Sequence, residues 1–258
     1  MRVLSNQQSL NFRAIPLAQW RCKTLNNKPK NITIINFEEK DLKLVEKFIE
    51  KSDLICKKDR LKQELVKNAI CTIRDVLSIK DKAFKKVKMF LAIHEGTPCG
   101  LLVGNVPKHF LDSEQIKYSS RHNSAKNETE LDWLVTWQPR GKSKIKGVGK
   151  ALVGEYFKTI RKDRFRDIFV RSEVPENSFA TSFYESLGFE SLSQKRLKLF
   201  NKNSAQYLVP DYGIATDDTI PMLITRKNSQ EMADYLSKKM LRQEFKQASV
   251  NAEEIINI

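Results

Sequence analysis

The sequence lacks an apolar run long enough to cross a membrane and lacks any paired set of metal ligands. A membrane helix requires about 20 consecutive apolar residues, and no stretch of the 258 residues approaches that length. The four cysteines stand far apart without C-x-x-C spacing, and the three histidines form no helical H-x-x-x-H pair. These absences exclude a membrane-spanning protein. They predict no structural metal and reduced, mostly buried thiols.

Acidic residues are missing from the first 37 positions, which contain Arg2, Arg13 and Arg21. This bias is found in organelle transit peptides and in the secretion-competent tails of bacterial effectors. A basic extension packed on the folded domain is the simpler interpretation, because the apolar segment of a secretory signal is absent. We therefore predict a basic extension over residues 1–30 in a cytoplasmic protein. Organelle targeting, or secretion as an effector, through that extension is the alternative.

Positive charge is in excess, with 46 Lys and Arg against 31 Asp and Glu and a formal charge of +15. Such a balance favours a phosphate-bearing or otherwise anionic partner, without identifying it. Hydrophobic residues make up 40% of the chain, which is enough for a core and too much for wholesale disorder. The length allows one enlarged domain or one domain with extensions.

Apolar runs predict the first half of a sheet. The β-branched segment Asn31–Phe37 predicts the first strand. Two further runs, Met89–His94 and Gly100–Asn105, are joined by a turn-rich connection and predict a β-hairpin. Helical spacing predicts amphipathic helices over residues 39–51 and 59–78. The polar composition of residues 106–129 predicts a long loop.

Strands and helices alternate in the second half. The predicted strand Leu131–Trp137 places Leu131, Trp133, Val135 and Trp137 on one face. A helix is predicted after Gly149, with an inner face formed by Leu152, Val153, Tyr156, Phe157 and Ile160. A strand at Asp167–Val174 and a helix at Ser178–Leu187, ended by Gly188, follow it. The remaining predicted elements are strands at Gln206–Val209 and Ile220–Thr225 and a last helix at Ser229–Gln247.

The glycine-rich turn before the first of these helices predicts a phosphate site. A turn between strand and helix exposes backbone N–H groups at the positive end of the helix dipole. Residues 144–149 have this context, and basic residues crowd it with no intervening acid: Arg140, Lys142, Lys144, Lys146 and Lys150. It is neither a Walker loop, since G-x-x-x-x-G-K-[ST] is absent, nor a dinucleotide fingerprint, since Leu152 occupies the third glycine position.

Two motifs resemble the GNAT superfamily of acetyl-CoA-dependent N-acetyltransferases. The family's pyrophosphate loop is matched by Lys144, Gly147 and Gly149. The family's later strand-to-helix segment is matched by Asn177-x-x-Ala180-x-x-Phe183-Tyr184-x-x-x-Gly188-Phe189. The resemblance covers roughly residues 31–195. Lys144 replaces the usual Gln or Arg, and the connection from Val135 to the loop is longer than usual by about four residues.

The resemblance implies an α/β (α+β) fold with a mixed, mostly antiparallel twisted sheet and flanking helices. It implies a V-shaped splay between the fourth strand, Leu131–Trp137, and the fifth, Asp167–Val174. The chain would then divide into the extension over residues 1–30, an acetyltransferase domain over residues 31–195, and a C-terminal part over residues 196–258. That last part would add strands that complete the sheet and a terminal helix.

Acetyl-CoA is the co-substrate that the resemblance implies, with no metal. The amides of Lys146–Lys150 would hold its pyrophosphate, an amide near Val135 or Thr136 would polarise the thioester carbonyl, and Asn177 would contact the cofactor arm or cap the following helix. The complete implied set is Leu134, Val135, Thr136, Lys144, Lys146, Gly147, Val148, Gly149, Lys150, Asn177 and Tyr184.

Direct transfer in a ternary complex is the implied reaction. Tyr184 would protonate the departing thiolate, unless it is a core aromatic residue beside Phe183. A carboxylate must deprotonate the amine before attack. Glu130 is the first candidate and Asp132 the second, both on the strand face opposite Leu131, with simple solvation at a sheet edge as the alternative.

The acceptor amine remains open among a protein, a small amine and an aminoacyl-tRNA. The charge excess mildly favours a nucleic-acid-linked acceptor. A different class of function is a non-catalytic nucleic-acid-binding or partner-binding module on the same fold, with the basic stripe Arg140–Lys150 on the phosphates. The stripe lacks the interleaved aromatic residues that single-strand binders use for stacking.

Overall fold

One sheet organises the chain. The computed structural model describes residues 15–38, 41–43, 45–46, 67, 71, 74, 87–107, 128–137, 144–162, 167–173, 179–191 and 219–245. The strands are β1 (Ile15–Thr24), β2 (Pro29–Asn36), β3 (Lys88–His94), β4 (Thr97–Pro107), β5 (Glu128–Thr136), β6 (Ile145–Lys146), β7 (Asp167–Glu173), β8 (Glu190–Ser191), β9 (Thr219–Thr225) and β10 (Gln243–Glu244). The principal helices are α1 (Val148–Thr159), α2 (Phe179–Glu185) and α3 (Arg226–Lys239).

The strand order is β10-β1-β2-β3-β4-β5-β7-β9-β8, and β6 pairs with β1 beside β10. Neighbouring strands are antiparallel except β5 and β7, which are parallel and joined through α1. The predicted fold class, a mixed and mostly antiparallel sheet with flanking helices, is confirmed.

The parallel pair β5 and β7 separates along its length. Pairing is limited to Glu128 with Asp167, Thr129 with Ile168, and Glu130 with Phe169. In the described part of both strands, no further pair joins them beyond this point, although β5 continues to Thr136. The strands therefore form a V that is closed at Glu130 and open at Thr136. The predicted splay between these two strands is confirmed.

The sheet begins earlier than the sequence analysis predicts. Residues 15–24 form β1, which pairs along its length with β2 and holds the fully buried Ala18 and Trp20. Asn31–Phe37 is therefore the second strand, and its prediction as the first was wrong. Residues 15–24, which fall in the predicted extension, belong to the sheet, whereas residues 1–14 lie outside the described residues.

The predicted hairpin is confirmed as β3 and β4. Its two turn residues, Glu95 and Gly96, have φ of 47° and 68°, the conformation of a type I′ turn, whose twist matches that of the flanking strands. The strands predicted near residues 131, 167 and 220 are also present. The helices predicted at 39–51 and 59–78, the loop at 106–129 and the strand at 206–209 lie largely or wholly outside the described residues.

The last helix is shorter than predicted, because α3 ends at Lys239 rather than near Gln247. Leu241 has a positive φ of 46° and reverses the chain direction. The chain then returns to β1, where Gln243 pairs with Gln19. The C-terminal segment thereby covers a sheet edge that would otherwise expose unpaired backbone groups.

Helix α1 lies across one face of the sheet, with its predicted inner residues buried. Two glycines of β4 allow this close approach. A Cβ atom at Gly100 would lie 2.9 Å from Leu152 Cδ1, and one at Gly104 would lie 2.7 Å from Tyr156 Cε2. Residues of β3 and β4 on the opposite face, such as Leu91 and Leu101, are buried as well, so these two central strands are covered on both faces.

Candidate active site

The N-terminus of α1 is open to an anion. Its N-cap is Gly147, with φ of 94°, which has no side chain to accept a hydrogen bond from the first turn. The first turn has no acidic residue. Because the first amides of a helix have no intrahelical acceptor and carry partial positive charge, the amides of Val148, Gly149 and Lys150 can donate to phosphate oxygens.

This terminus lies at the open end of the V. A Cβ atom at Gly149 would be 3.2 Å from Phe183 Cζ of α2 and 3.7 Å from Thr136 Cγ2 of β5. The fold thus places the glycine-rich turn at the start of α1, the end of β5 and α2 together. A side chain larger than hydrogen at Gly149 would fill the space between them.

The edge of β5 that faces the V is available to a ligand. From Leu131 to Thr136 the strand is paired with β4 on one side and, in the described residues, not with β7 on the other. Thr136 is exposed, Leu134 is half-buried, and Val135 is buried. Unpaired backbone groups along a strand can bind an extended molecule as an additional strand would.

Lysines flank the helix terminus. Lys144 and Lys146 are exposed and Lys150 is half-buried. Lys144 is fixed through its carbonyl, which accepts a 3.2 Å hydrogen bond from the amide of Leu25. Three of the predicted residues, Arg140, Lys142 and Asn177, lie outside the described residues.

Tyr184 lies in an aromatic cluster on α2, with 8% of its surface exposed. Its ring centroid is 5.3 Å from that of Phe183 and 5.4 Å from that of Phe189, both in edge-to-face geometry. Phe183 in turn contacts the Gly149 position. The cluster explains the burial of the Tyr184 ring. The role of its hydroxyl in protonating a thiolate stays a prediction.

The end of α2 is set by Gly188, as predicted. Gly188 has φ of 84°, and its amide donates to the Glu185 carbonyl at 2.9 Å. The amide of Phe189 donates to the Tyr184 carbonyl at 3.1 Å. These two bonds form a Schellman motif. They fix the backbone of Tyr184, and hence the position of its ring relative to α1.

The two candidate bases differ in environment. Glu130 is 2% exposed at the closed end of the V, where it pairs with Val106 on one side and Phe169 on the other. Simple solvation at a sheet edge, the alternative considered for this residue, is therefore wrong. The backbone of Asp132 lies in β5, but its side chain is outside what the structure describes.

A β-bulge changes the predicted faces of β5. Leu131 pairs with Gly104 and Trp133 with Val103, which leaves Asp132 as the extra residue. Leu131 accordingly packs in the core beneath α1, as Leu134 does, and no longer shares a face with Trp133. The predicted alternation across the whole strand was wrong. Glu130 lies on the face away from α1, on the side of Phe169.

Sequence reasoning missed two features of this region. Phe183 was considered only as a neighbour of Tyr184, but in the structure it lies on the opposite side of Gly149 from Thr136. Its position in the strand-to-helix motif could have indicated that it belongs to the site. Trp137 follows β5 and is buried, and none of the residues that the structure describes accepts a hydrogen bond from its Nε1. An unsatisfied buried donor costs about 1–3 kcal/mol. No sequence pattern indicated it.

Two buried thiols lie close to the helix terminus. A Cβ atom at Gly147 would be 3.7 Å from Cys22 Sγ. Burial raises the pKa of the Cys22 thiol to about 12. Burial, with a smaller contribution from Cys22, also raises the pKa of Cys99. Since the thiolate is the nucleophilic form, neither cysteine is suited to carry an acyl group near neutral pH.

The described residues show neither a metal site nor a membrane helix. They contain no group of three or more His, Cys, Asp or Glu side chains that could hold a metal ion. Within the same ranges, no helix has the length and apolarity needed to cross a membrane.

No protein-family model matches the sequence, and no curated protein matches it. Solved structures do resemble the fold. Ard1 from Thermoplasma volcanium is 14% identical, with 75% of this chain and 97% of that chain covered and a TM-score of 0.41. A putative GNAT-family acetyltransferase from Desulfovibrio desulfuricans is 16% identical, with 76% and 99% covered and a TM-score of 0.46. The ribosomal-protein-S18-alanine N-acetyltransferase from Escherichia coli is 16% identical, with 75% and 93% covered and a TM-score of 0.42.

Proposed function

We propose that this chain is a GNAT-type N-acetyltransferase that moves an acetyl group from acetyl-CoA to a primary amine. One observation carries the proposal. The open, acid-free N-terminus of α1 lies at the open end of the V, with Gly149 between Thr136 and Phe183. A phosphate site and an unpaired strand edge are thereby continuous, which suits a ligand with a pyrophosphate and an extended amide-containing arm.

The residues at the open end would bind the cofactor. The amides of Val148, Gly149 and Lys150 donate to the pyrophosphate, and Lys144 and Lys146 add positive charge. The edge of β5 that faces the V pairs with the pantetheine amides. An amide near Val135 or Thr136 stabilises negative charge on the thioester oxygen as the amine attacks.

A carboxylate of β5 and the hydroxyl of Tyr184 would transfer the protons of the reaction. Glu130 removes a proton from the protonated amine, directly or through a water molecule, so that the neutral amine attacks the thioester carbon. Asp132 is the second candidate. As the carbon–sulfur bond breaks, the Tyr184 hydroxyl donates its proton to the thiolate, the amide nitrogen releases its second proton to solvent, and the phenol is reprotonated from solvent. The transfer is direct in a ternary complex, without an acyl-enzyme.

Calorimetric titration with CoA tests the cofactor site. Gly149→Glu places a side chain against Phe183 and a negative charge at the helix terminus, and we expect CoA affinity to fall at least about tenfold. Asn228→Glu is the matched control. It adds the same carboxylate to the exposed first turn of α3, where Thr225 is the N-cap, and it should leave CoA affinity unchanged.

Acetyl transfer tests the reaction. Labelled acetyl-CoA is incubated with the protein and separate pools of proteins, small amines and aminoacyl-tRNA, and label that reaches one pool identifies the acceptor class. The proposal fails if the wild type shows no CoA binding and if Gly149→Glu leaves every measured transfer unchanged.

A further inference from the structure

One corner of the sheet carries cations that face solvent. In β1 the residues Ala18, Trp20 and Cys22 are buried on the α1 side, and the alternate residues Arg21 and Lys23 are exposed. Since side chains alternate along a strand, Arg21 and Lys23 lie together on the face away from α1. No Asp or Glu occurs between residues 15 and 36.

A like-charge pair joins this face to the phosphate-binding turn. Lys23 of β1 lies directly opposite Lys146 of β6. Like charges opposite one another on antiparallel strands destabilise the pair, and both lysines are exposed. Among the described residues no acid forms an ion pair with Arg21, Lys23 or Lys146. An external anion would relieve the repulsion.

Beside these cations lies a groove of about 490 Å³. Amide side chains provide much of its polar lining: Gln19, Asn31 and Gln243. Arg21 lies opposite Asn31 in the sheet, and Gln19 lies opposite Gln243. The far rim is closed by the 2.9 Å ion pair of Lys30 with Glu95. The groove thus combines one unpaired cation with several neutral donors and acceptors.

We propose that this surface, the β1 corner (Arg21, Lys23, Lys146 and the adjoining groove), binds a single strand of nucleic acid. The cations contact phosphates, which supply most of the affinity for a nucleic acid. The amides of Gln19, Asn31 and Gln243 contact a base edge or sugar, because a carboxamide both donates and accepts hydrogen bonds, as base edges do. The proposal does not depend on the proposed acetyltransferase activity.

The groove favours a nucleic acid over other polyanions. The charges of Arg21, Lys23 and Lys146 alone could bind an acidic peptide or an anionic lipid surface. Neither of these ligands requires an amide-lined cavity beside the cations. Exposed bases of a single strand present polar edges that a duplex hides. A single strand is therefore the form that uses both the cations and the groove.

Fluorescence anisotropy with a short labelled oligouridylate tests the proposal. The double variant Arg21→Gln/Lys23→Gln should bind about tenfold more weakly at about 50 mM salt, and its log K against log[salt] slope should be shallower by about 1.4, which corresponds to two lost phosphate contacts on a single strand. The control Lys227→Gln/Lys238→Gln removes the same charge from exposed positions of α3 and should stay within about twofold of wild type.

A second variant separates the groove from the cations. Asn31→Ala removes an exposed amide without changing the charge, so it should weaken RNA binding and leave the salt slope unchanged. Circular dichroism and a thermal melt establish that each variant is folded.

Three outcomes would overturn the proposal. They are wild-type affinity in Arg21→Gln/Lys23→Gln, equal losses in the α3 control, and equally tight, Arg21-dependent binding to phosphatidylserine vesicles. The CoA affinity of the same variants is measured in a separate titration. Loss of RNA binding with CoA binding intact therefore distinguishes failure of this surface from failure of the cofactor site.

Discussion

Trp20 Nε1 donates a 2.8 Å hydrogen bond to Glu155 Oε2 and so joins β1 to α1 across 135 residues of sequence. The same carboxylate accepts two 2.8 Å bonds from Arg242. Glu155 is 2% exposed. Hydrogen bonding to Glu155 is the main reason that the pKa of Arg242 is raised. One buried carboxylate therefore holds together the first described strand, the central helix and the C-terminal segment.

We expect Glu155→Gln to destabilise the protein by about 3 kcal/mol, because Arg242 loses its buried countercharge and keeps only the exposed Glu244 as an ion-pair partner. Urea unfolding measures the change. Asp234→Asn is the control, since it breaks the exposed contacts with Lys158 and Arg161 and should cost less than about 1 kcal/mol. Equal losses in the two variants would contradict a special role for Glu155.

Sequence reasoning reached the parts of the fold that rest on local patterns. The hairpin β3–β4 was predicted from two apolar runs around a short turn, and α1 from the spacing of Leu152, Tyr156 and Ile160, because burial on one face imposes a period that the sequence displays. The resemblance placed Gly147 and Gly149 at a strand-to-helix turn, where the structure has them.

Strand β1, which the sequence analysis missed, shows the limit of prediction from local patterns. Ala18, Trp20 and Cys22 alternate with polar residues in β1, but two of the three are small, and the acid-free composition favoured an extension. The bulge at Asp132 was also beyond reach, because it is defined by the partner residues Val103 and Gly104. Register is a property of two strands, and a sequence displays one at a time.

Gly147→Ala should destabilise the protein and weaken CoA binding. A Cβ atom is strained at φ of 94° by about 1–2 kcal/mol, and relief of that strain would reorient the first amides of α1. Gly96→Ala, at φ of 68° in the hairpin turn, introduces a similar strain away from those amides. It should lower the melting temperature and leave CoA affinity unchanged. An unchanged melting temperature in Gly147→Ala would contradict the left-handed N-cap.

Alkylation rates should distinguish the buried thiols of Cys22 and Cys99 from the exposed thiol of Cys71. With a pKa of about 12 for Cys22, about one thiol in ten thousand is ionised at pH 8. Cys71 is exposed. In the native protein at pH 8 we expect iodoacetamide to label Cys71 and to spare Cys22 and Cys99, as measured by peptide mass spectrometry. In denaturant all three should react. Native labelling of Cys22 as fast as Cys71 would show that the β1 core is open.

Tyr184→Phe should lower kcat by about 10²-fold or more if the hydroxyl protonates the thiolate, while CoA affinity stays within about threefold. Tyr156→Phe removes a hydroxyl from another fully buried tyrosine, and it should leave kcat unchanged. A kcat of Tyr184→Phe within twofold of wild type would assign Tyr184 to the aromatic core alone.

Glu130→Gln should lower kcat/KM for the amine by about 10²-fold or more at neutral pH. Without a base, transfer depends on amine that is already neutral, so the activity of the variant should rise with pH toward the pKa of the acceptor amine. The change is nearly isosteric, and CoA titration with a thermal melt shows whether the buried site remains intact.

Asp132→Asn decides between the two carboxylates. Glu130 is buried at the closed end of the V beside Phe169. Asp132 lies in the bulge between Leu131 and Trp133. We expect Asp132→Asn to retain the wild-type pH profile. If Asp132→Asn loses activity at neutral pH and recovers it at high pH while Glu130→Gln does not, Asp132 is the base, and the buried side chain of Glu130 serves the packing of β5 against β7.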